Sequence, residues 1–375
     1  MNIFHNPVNV YWGEGSISKL NNILVKLASK NILVLTGKSS LKKSGYFEKI
    51  NECLSNYTVV SVESVPSHPD TRDVLEMYQK LAISKFDTIL AIGGGSVLDV
   101  AKTIKAVIGQ RLSEIQDLEK ILAVGKYFPA KISIVAIPTT SGSGSEVTPW
   151  ATVWDRQNKK KYSIEHRALY PDYAIVDPKL TYSLPLRTSV ICSLDALCHA
   201  IESYWAKPSN EYSRQLSLSA ISLIMGNLER LCGEDSNEEV KGNLSLGSLN
   251  AGLALSHTKT TACHAIAYPL TLRFGVEHGI ATSMTLASLL QINYKVIPDV
   301  ERLLHALGIQ TIEELYDKLL QIGKMVGISL RLRDYGVKVE DLTEVVKECF
   351  TRGRMDNNPI DLDEEKVLGV LKEIY

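Results

Sequence analysis

The sequence predicts an α/β domain followed by an all-helical domain, and three observations carry that prediction. In the first half, short β-branched runs alternate with helical stretches, the βαβ rhythm of a doubly wound parallel sheet. Beyond Asp177–Pro178 the strands stop and long amphipathic helices follow one another to the C-terminus. At 375 residues with 45% hydrophobic content, the chain can bury two separate cores.

Asn31–Thr36 (NILVLT), Thr58–Val62 (TVVSV), Thr88–Ile92 (TILAI) and Ser133–Ile137 (SIVAI) read as buried parallel strands bounded by Gly, Pro or Ser. Arg72–Ser84 and Ser96–Ile108 read as the helices between them. Ala151–Trp154 and Lys161–Ile164 read as a hairpin after the fourth strand. The helical half is expected over Ser189–Trp205, Tyr212–Cys232, Glu238–Ser256 and Ile280–Tyr294, with further helices beyond. The boundary falls near Leu184–Pro185, giving a nucleotide-binding domain over 1–184 and a helical domain over 185–375.

Composition excludes several function classes. A net charge of -1 offers nothing to a polyanion, and Lys159–Lys160–Lys161 is too short for a nucleic-acid arm. No apolar run reaches the ~20 residues that span a bilayer. The stretch from Met1 to His5 lacks the basic and apolar regions of a signal peptide. The 6 cysteines show no C-x-x-C spacing, so the expected state is free thiols in a reducing cytoplasm.

Two glycine-rich turns point to phosphate. Gly93–Gly94–Gly95–Ser96 follows a strand and opens a helix, where backbone N–H groups and the helix dipole favour an anion. It is neither G-x-G-x-x-G nor a Walker loop. Asp99 on that helix reads either as a capping residue or as a partner for ribose or a nicotinamide amide. The second turn runs from Pro138 to Glu146 (PTTSGSGSE), with hydroxyls and glycines suited to a pyrophosphate or nicotinamide. Turns after two neighbouring strands bracket one crevice, the usual ligand position of open α/β sheets.

The helical half supplies a different chemistry. Asp195 and His199 are four apart in an apolar run, so on a helix they share a face. With His264 and His278 they make up the carboxylate and imidazole donors that a borderline divalent metal such as Fe²⁺ or Zn²⁺ takes.

Taken together, GGGSVLDVAK (93–102), PTTSGSGSEVT (138–148), DPKL (177–180), SLDALCHAIESY (193–204) and HAIAYPL…EHG (264–279) resemble the iron-containing (group III) alcohol dehydrogenase family. That family shares the dehydroquinate synthase-like fold. The resemblance implies a metal held by Asp195, His199, His264 and His278, with Fe²⁺ first and Zn²⁺ as the alternative. It implies cofactor contacts at Gly94, Gly95, Ser96, Asp99, Thr139, Thr140, Ser143, Ser145 and Lys161, with Leu180 and Leu184 packed near the nicotinamide. The implied reaction is reversible hydride transfer between a nicotinamide and a primary alcohol or aldehyde, by a homo-oligomer such as a dimer.

Three departures from the family pattern sharpen the expectation. Many members carry an aspartate after the second strand; here Gly37 stands there, followed by Lys38, Ser39 and Ser40. Losing that acid removes a repulsion against a 2′-phosphate, which favours NADP(H) over NAD(H). Many members have a further histidine four residues after the third ligand; here it is Tyr268, either a proton donor or a packed aromatic. Lys259, within Ser256–His257–Thr258–Lys259–Thr260–Thr261, replaces a small apolar run and suits an anionic substrate group, with Arg273 as a second cation. This segment looks similar to the phosphonoacetaldehyde reductases of the family, which make 2-hydroxyethylphosphonate. The alternatives are a generic short-chain alcohol or diol dehydrogenase and, more remotely, a lyase on the dehydroquinate synthase scaffold.

Overall fold

The computed structural model of the chain describes residues 4–38, 40–351 and 353–375. The chain folds into two compact units, one of Asn6–Thr140 with Ser145–Leu184, the other centred on Pro185–Tyr375 and taking in Ser141–Gly144.

The first unit is built on strands β1 (Asn9–Trp12), β2 (Asn31–Gly37), β3 (Thr58–Val65), β4 (Thr88–Gly93), β5 (Ser133–Pro138) and β8 (Tyr173–Val176). They form one 6-stranded sheet in the order β1-β8-β5-β4-β2-β3, and every pairing is parallel. Helices α1 (Leu20–Lys26), α2 (Ser40–Lys43), α3 (Phe47–Leu54), α4 (Thr71–Leu81), α5 (Gly95–Val107) and α6 (Ile115–Val124) connect them. The central strands read as unbroken apolar runs because both faces are covered. Leu33, Ile89 and Ile134 pack into one core, whereas Ile32, Leu90 and Val135 pack into the other. The strand expected at Thr58–Val62 exists, but β3 is an edge strand and largely exposed, so it is not buried as expected. The expected hairpin forms as β6 (Trp150–Asp155) and β7 (Lys160–Glu165), paired antiparallel.

The second unit is helical: α7 (Leu186–Trp205), α8 (Glu211–Cys232), α9 (Glu238–Thr258), α10 (Ala262–Phe274), α11 (His278–Met284), α12 (Leu286–Asn293), α13 (Val300–Leu307), α14 (Ile312–Met325), α15 (Leu342–Glu348) and α16 (Glu364–Glu373). Its core draws Leu197 and Ile201 from α7, Ile224 from α8, Ile266 from α10 and Ile280 from α11. The expected single helix Ile280–Tyr294 is in fact two, broken at Thr285. One close approach positions the site. A Cβ on Gly279 would lie 2.1 Å from the carbonyl oxygen of Ile191, so α11 touches the backbone of α7 itself. Only glycine permits that contact, and it seats His278 one turn from Asp195. Among the described residues, no helix is long and apolar enough to cross a membrane.

Candidate metal centre and nucleotide-binding loops

Four side chains expected as ligands converge in the helical unit. Oδ1 of Asp195 lies 4.0 Å from Nε2 of His199, 3.5 Å from Nε2 of His264 and 3.8 Å from Nε2 of His278. One donor atom from each of Asp195, His199 and His264 falls within 4.8 Å of the others. The His199 and His264 rings stack at 4.5 Å, and His278 meets His264 edge-on at 5.3 Å.

Each imidazole is turned so that Nε2 faces the cluster. Nδ1 of His199 sits 3.3 Å from the carbonyl oxygen of Gly142. That oxygen can only accept, so the hydrogen is on Nδ1 and the lone pair is on Nε2. Nδ1 of His264 is held against Oε2 of Glu202, which fixes its orientation in the same way. Glu202 is fully buried, and its Oε1 accepts from Thr261 N at 2.9 Å, Thr261 Oγ1 at 2.7 Å and Cys263 N at 2.9 Å. One carboxylate therefore caps the start of α10 and orients His264, which α10 carries. Sequence reasoning missed Glu202, although Asp195, His199 and Glu202 stand at i, i+4 and i+7 on one helical face.

The donor set fits a divalent cation. Oδ1 of Asp195 and Nε2 of His264 are buried and make no hydrogen bond, a cost that a ligand removes. Donors ~2.1 Å from a tetrahedral ion stand ~3.4 Å apart, close to the spacings seen. Burial works against charge on every member, yet the three imidazoles hold Asp195 well below the usual carboxylate range. Burial likewise pulls His264 down, but the charge of Glu202 and the contact with Asp195 prevail and raise it to about 10. His199 is pushed down by burial and stays neutral at pH 7. Without an ion, the carboxylates of Asp195 and Glu202 thus face an imidazolium at His264. A cation bound at Nε2 takes the place of that proton.

Except for Ser143, the nucleotide-binding candidates lie in the α/β unit. β4 and β5 are neighbours with Gly93 opposite Pro138, so both glycine-rich turns leave the same sheet edge. A Cβ on Gly94 would come within 3.3 Å of Thr140 Cγ2, so the two turns are in contact. Gly95 and Ser96 open α5, and Ser96 Oγ accepts from His68 N at 3.1 Å. Gly37 ends β2 half-buried; Ser39 lies outside the described residues, and nothing is described of the Ser40 side chain.

Several candidates are committed to the protein itself. Ser145 Oγ donates to Asp99 Oδ1 at 2.8 Å and accepts from Lys102 Nζ at 2.7 Å. Thr152 N takes the other Asp99 oxygen at 2.9 Å. Lys102 is fully buried, bonds also to the carbonyls of Ser145 and Trp150, and is pushed down to about 8 by that burial. Asp99 and Ser145 therefore brace the second turn. Lys161 on β7 is half-buried, and its charge bears on Asp99. Thr139 is buried, with its N–H on Gly93 O. Leu180 shows 0% exposure and belongs to the same core as Ile17 and Ile175. Leu184 is half-buried.

The second turn is divided between the units: Ser141–Gly144, including half-buried Ser143, belongs to the helical one. Gly144, at φ +61°, would place a Cβ 2.4 Å from the Cα of Gly252, and Gly142 lies against Cys192. Tyr268 stacks on His278 at 5.7 Å with planes 6° apart. Arg273, expected as a second cation, pairs through its guanidinium with Glu348 at 2.9 Å.

Known proteins resemble this chain along its whole length. Residues 7–178 match the model of the iron-containing alcohol dehydrogenase family, and residues 189–375 match the model of its C-terminal domain. The phosphonoacetaldehyde reductase of Streptomyces viridochromogenes is 30% identical over 84% of this chain and 82% of its own. The NADPH-dependent butanol dehydrogenase of Clostridium saccharobutylicum is 27% identical over 98% and 97%. The crystal structure of sulfoacetaldehyde reductase from Bifidobacterium kashiwanohense in complex with NAD⁺ superposes with a TM-score of 0.90 at 25% identity, covering 100% of this chain and 98% of that one. With both halves matched in order and the expected donors gathered, the chain belongs to the iron-containing alcohol dehydrogenase family, NAD(P)-dependent oxidoreductases that act on CH–OH groups and use a divalent metal.

Proposed function

We propose that the chain reduces a short anionic aldehyde, phosphonoacetaldehyde in the first instance, to its alcohol with NADPH. The observation that carries this reading is the position of Lys259. It closes α9 five residues before His264, in a segment anchored through Thr261 to Glu202, the carboxylate that also holds His264. A primary ammonium so close along the chain to the donor cluster suits a phosphonate on a two-carbon aldehyde. Two relatives named for anionic C2 aldehydes, the phosphonoacetaldehyde and sulfoacetaldehyde reductases, support the same class.

The proposed roles follow from position. Asp195, His199, His264 and His278 are the metal ligands. When bound, the metal supplies Lewis-acid polarisation of the carbonyl and the nicotinamide supplies the hydride. Glu202 and Gly142 keep the His264 and His199 rings oriented. Tyr268, which stacks on His278, is assigned the donation of a proton to the product oxygen. Gly94, Gly95, Ser96 and Thr140 offer backbone and hydroxyl donors to the pyrophosphate, with Thr139, Ser143 and Lys161 nearby. Gly37 in place of an acid favours NADPH, in line with the NADPH-dependent butanol dehydrogenase relative.

The test is initial-rate oxidation of NADPH and NADH by the iron-reconstituted protein, with phosphonoacetaldehyde against propanal. The expected kcat/KM is ~100-fold higher for the phosphonate, because a site built for a charged group rejects the analogue lacking it. Equal turnover of propanal would retain the dehydrogenase and discard the anionic substrate. Failure with every aldehyde would discard the reductase.

A further inference from the structure

Lys259 stands in a backbone conformation that glycine alone adopts readily. Its φ of 61° and ψ of 175° lie in a region essentially closed to residues with a Cβ. Such a conformation persists only where the surroundings over-determine it. Its own N–H continues the helix to Leu255 O at 2.9 Å, which holds one side of the residue but not the turn that follows.

The turn is held from elsewhere in the chain. Nδ2 of Asn357, nearly a hundred residues later, donates to the carbonyl oxygen of Thr258 at 2.8 Å and to that of Thr260 at 2.9 Å. These carbonyls flank Lys259 on both sides, and one amide group with two hydrogens satisfies both. Asn357 is itself fixed through its backbone: its N–H donates to Arg354 O at 3.0 Å and its carbonyl accepts from Lys207 N at 3.1 Å. Immediately downstream, Thr261 Oγ1 accepts from Trp205 Nε1 at 2.9 Å and donates to Glu202 at 2.7 Å.

We infer that Asn357 is a positioning residue for substrate charge, clamping the carbonyls of Thr258 and Thr260 so that Lys259 keeps its strained backbone and a fixed point of departure for its side chain. This inference rests on the reading that Lys259 meets the substrate's anionic group. Nothing in the sequence pairs residue 357 with residue 259. The two carbonyls take both hydrogens of the one amide.

The experiment places Asn357→Asp, which keeps the size and loses both donors, in the wild-type and Lys259→Gly backgrounds of the iron-reconstituted protein. Asn357→Ser is the second variant, in case the aspartate opposed by two carbonyls folds poorly. The urea midpoint is expected to fall in the Lys259 background and far less with Lys259→Gly, where no strained residue needs holding. KM for phosphonoacetaldehyde is expected to rise about tenfold more than KM for propanal. Equal falls of the midpoint in both backgrounds, or equal rises of both KM values, would overturn the clamp. Lys259→Ala separates the two failures. If it erases the preference for the phosphonate, the anion reading stands and only Asn357 was wrongly assigned; if the preference survives, the anion reading itself has failed.

Discussion

Replacing Glu202 with glutamine is expected to weaken metal retention by about 10–100-fold, with activity falling in step. The reason is the proton on His264. Four donors converge on one oxygen of Glu202, at Thr261 N, Thr261 Oγ1, Cys263 N and His264 N, while His264 Nδ1 faces the other. Glutamine can keep its oxygen toward the four donors only by turning its NH₂ group toward Nδ1. The imidazole must then accept at Nδ1 and carry its hydrogen on Nε2, the atom needed for the metal. The pH dependence exposes the same linkage. With Glu202 present, the metal-free His264 is raised to about 10. Across the neutral range a metal must therefore displace the Nε2 proton, and affinity should rise about tenfold for each pH unit. Without the charge of Glu202 the imidazole titrates lower, so the slope should flatten above its new value. Chelator-competition titrations at several pH values measure both effects. An unchanged affinity and slope in Glu202→Gln would remove Glu202 from the site.

Gly279→Ala is expected to cost about 1–3 kcal/mol of stability and to abolish tight metal binding. The added methyl would sit 2.1 Å from Ile191 O and 3.1 Å from Ile191 C. Backbone atoms cannot step aside as a flexible side chain can, so α11 must lift from α7. His278 and Asp195 lie on those two helices within a turn of the contact, and their separation should grow beyond the reach of one ion. Gly226→Ala is the control. It sits inside α8 with nothing within 4 Å of the new methyl, so it should stabilise by up to ~1 kcal/mol through helix propensity. Thermal melts and metal analysis of the two variants decide the matter. Similar behaviour of both would mean that the close approach of α11 has no bearing on the metal.

Much of this architecture was legible because buried parallel strands and long helices write strong, local patterns. The runs at 31–36, 88–92 and 133–137 are apolar on both faces, and each forms a central strand. β1 and β8 escaped because they are only 4 residues each and pair with one another across the length of the unit. The break at Thr285 escaped because the apolar pattern runs through it without Gly or Pro. Within the site, Asp195 and His199 announce themselves by helical spacing. His264 and His278 do not, since only α10 and the Gly279 contact bring them there. Glu202 and Gly142 were invisible as chemistry: their role is to orient a neighbour's ring, and that is a property of the folded chain. Asp99 and Ser145 were legible as polar residues at a nucleotide loop, but not as partners of the buried Lys102.

A metal held as proposed is bound by one carboxylate and three imidazoles, with no sulfur. Cys192 and Cys198 lie on the same helix as Asp195, but burial pushes the Cys192 thiol up to about 12 and that of Cys198 well above its ordinary value. Neither therefore yields a thiolate readily. X-ray absorption spectroscopy of the iron-loaded protein tests this directly. The expected result is a shell of oxygen and nitrogen donors at ~2.0–2.2 Å with the multiple-scattering signature of imidazole, lost in Asp195→Ala. A sulfur shell at ~2.3 Å, or an unchanged spectrum in Asp195→Ala, would contradict it.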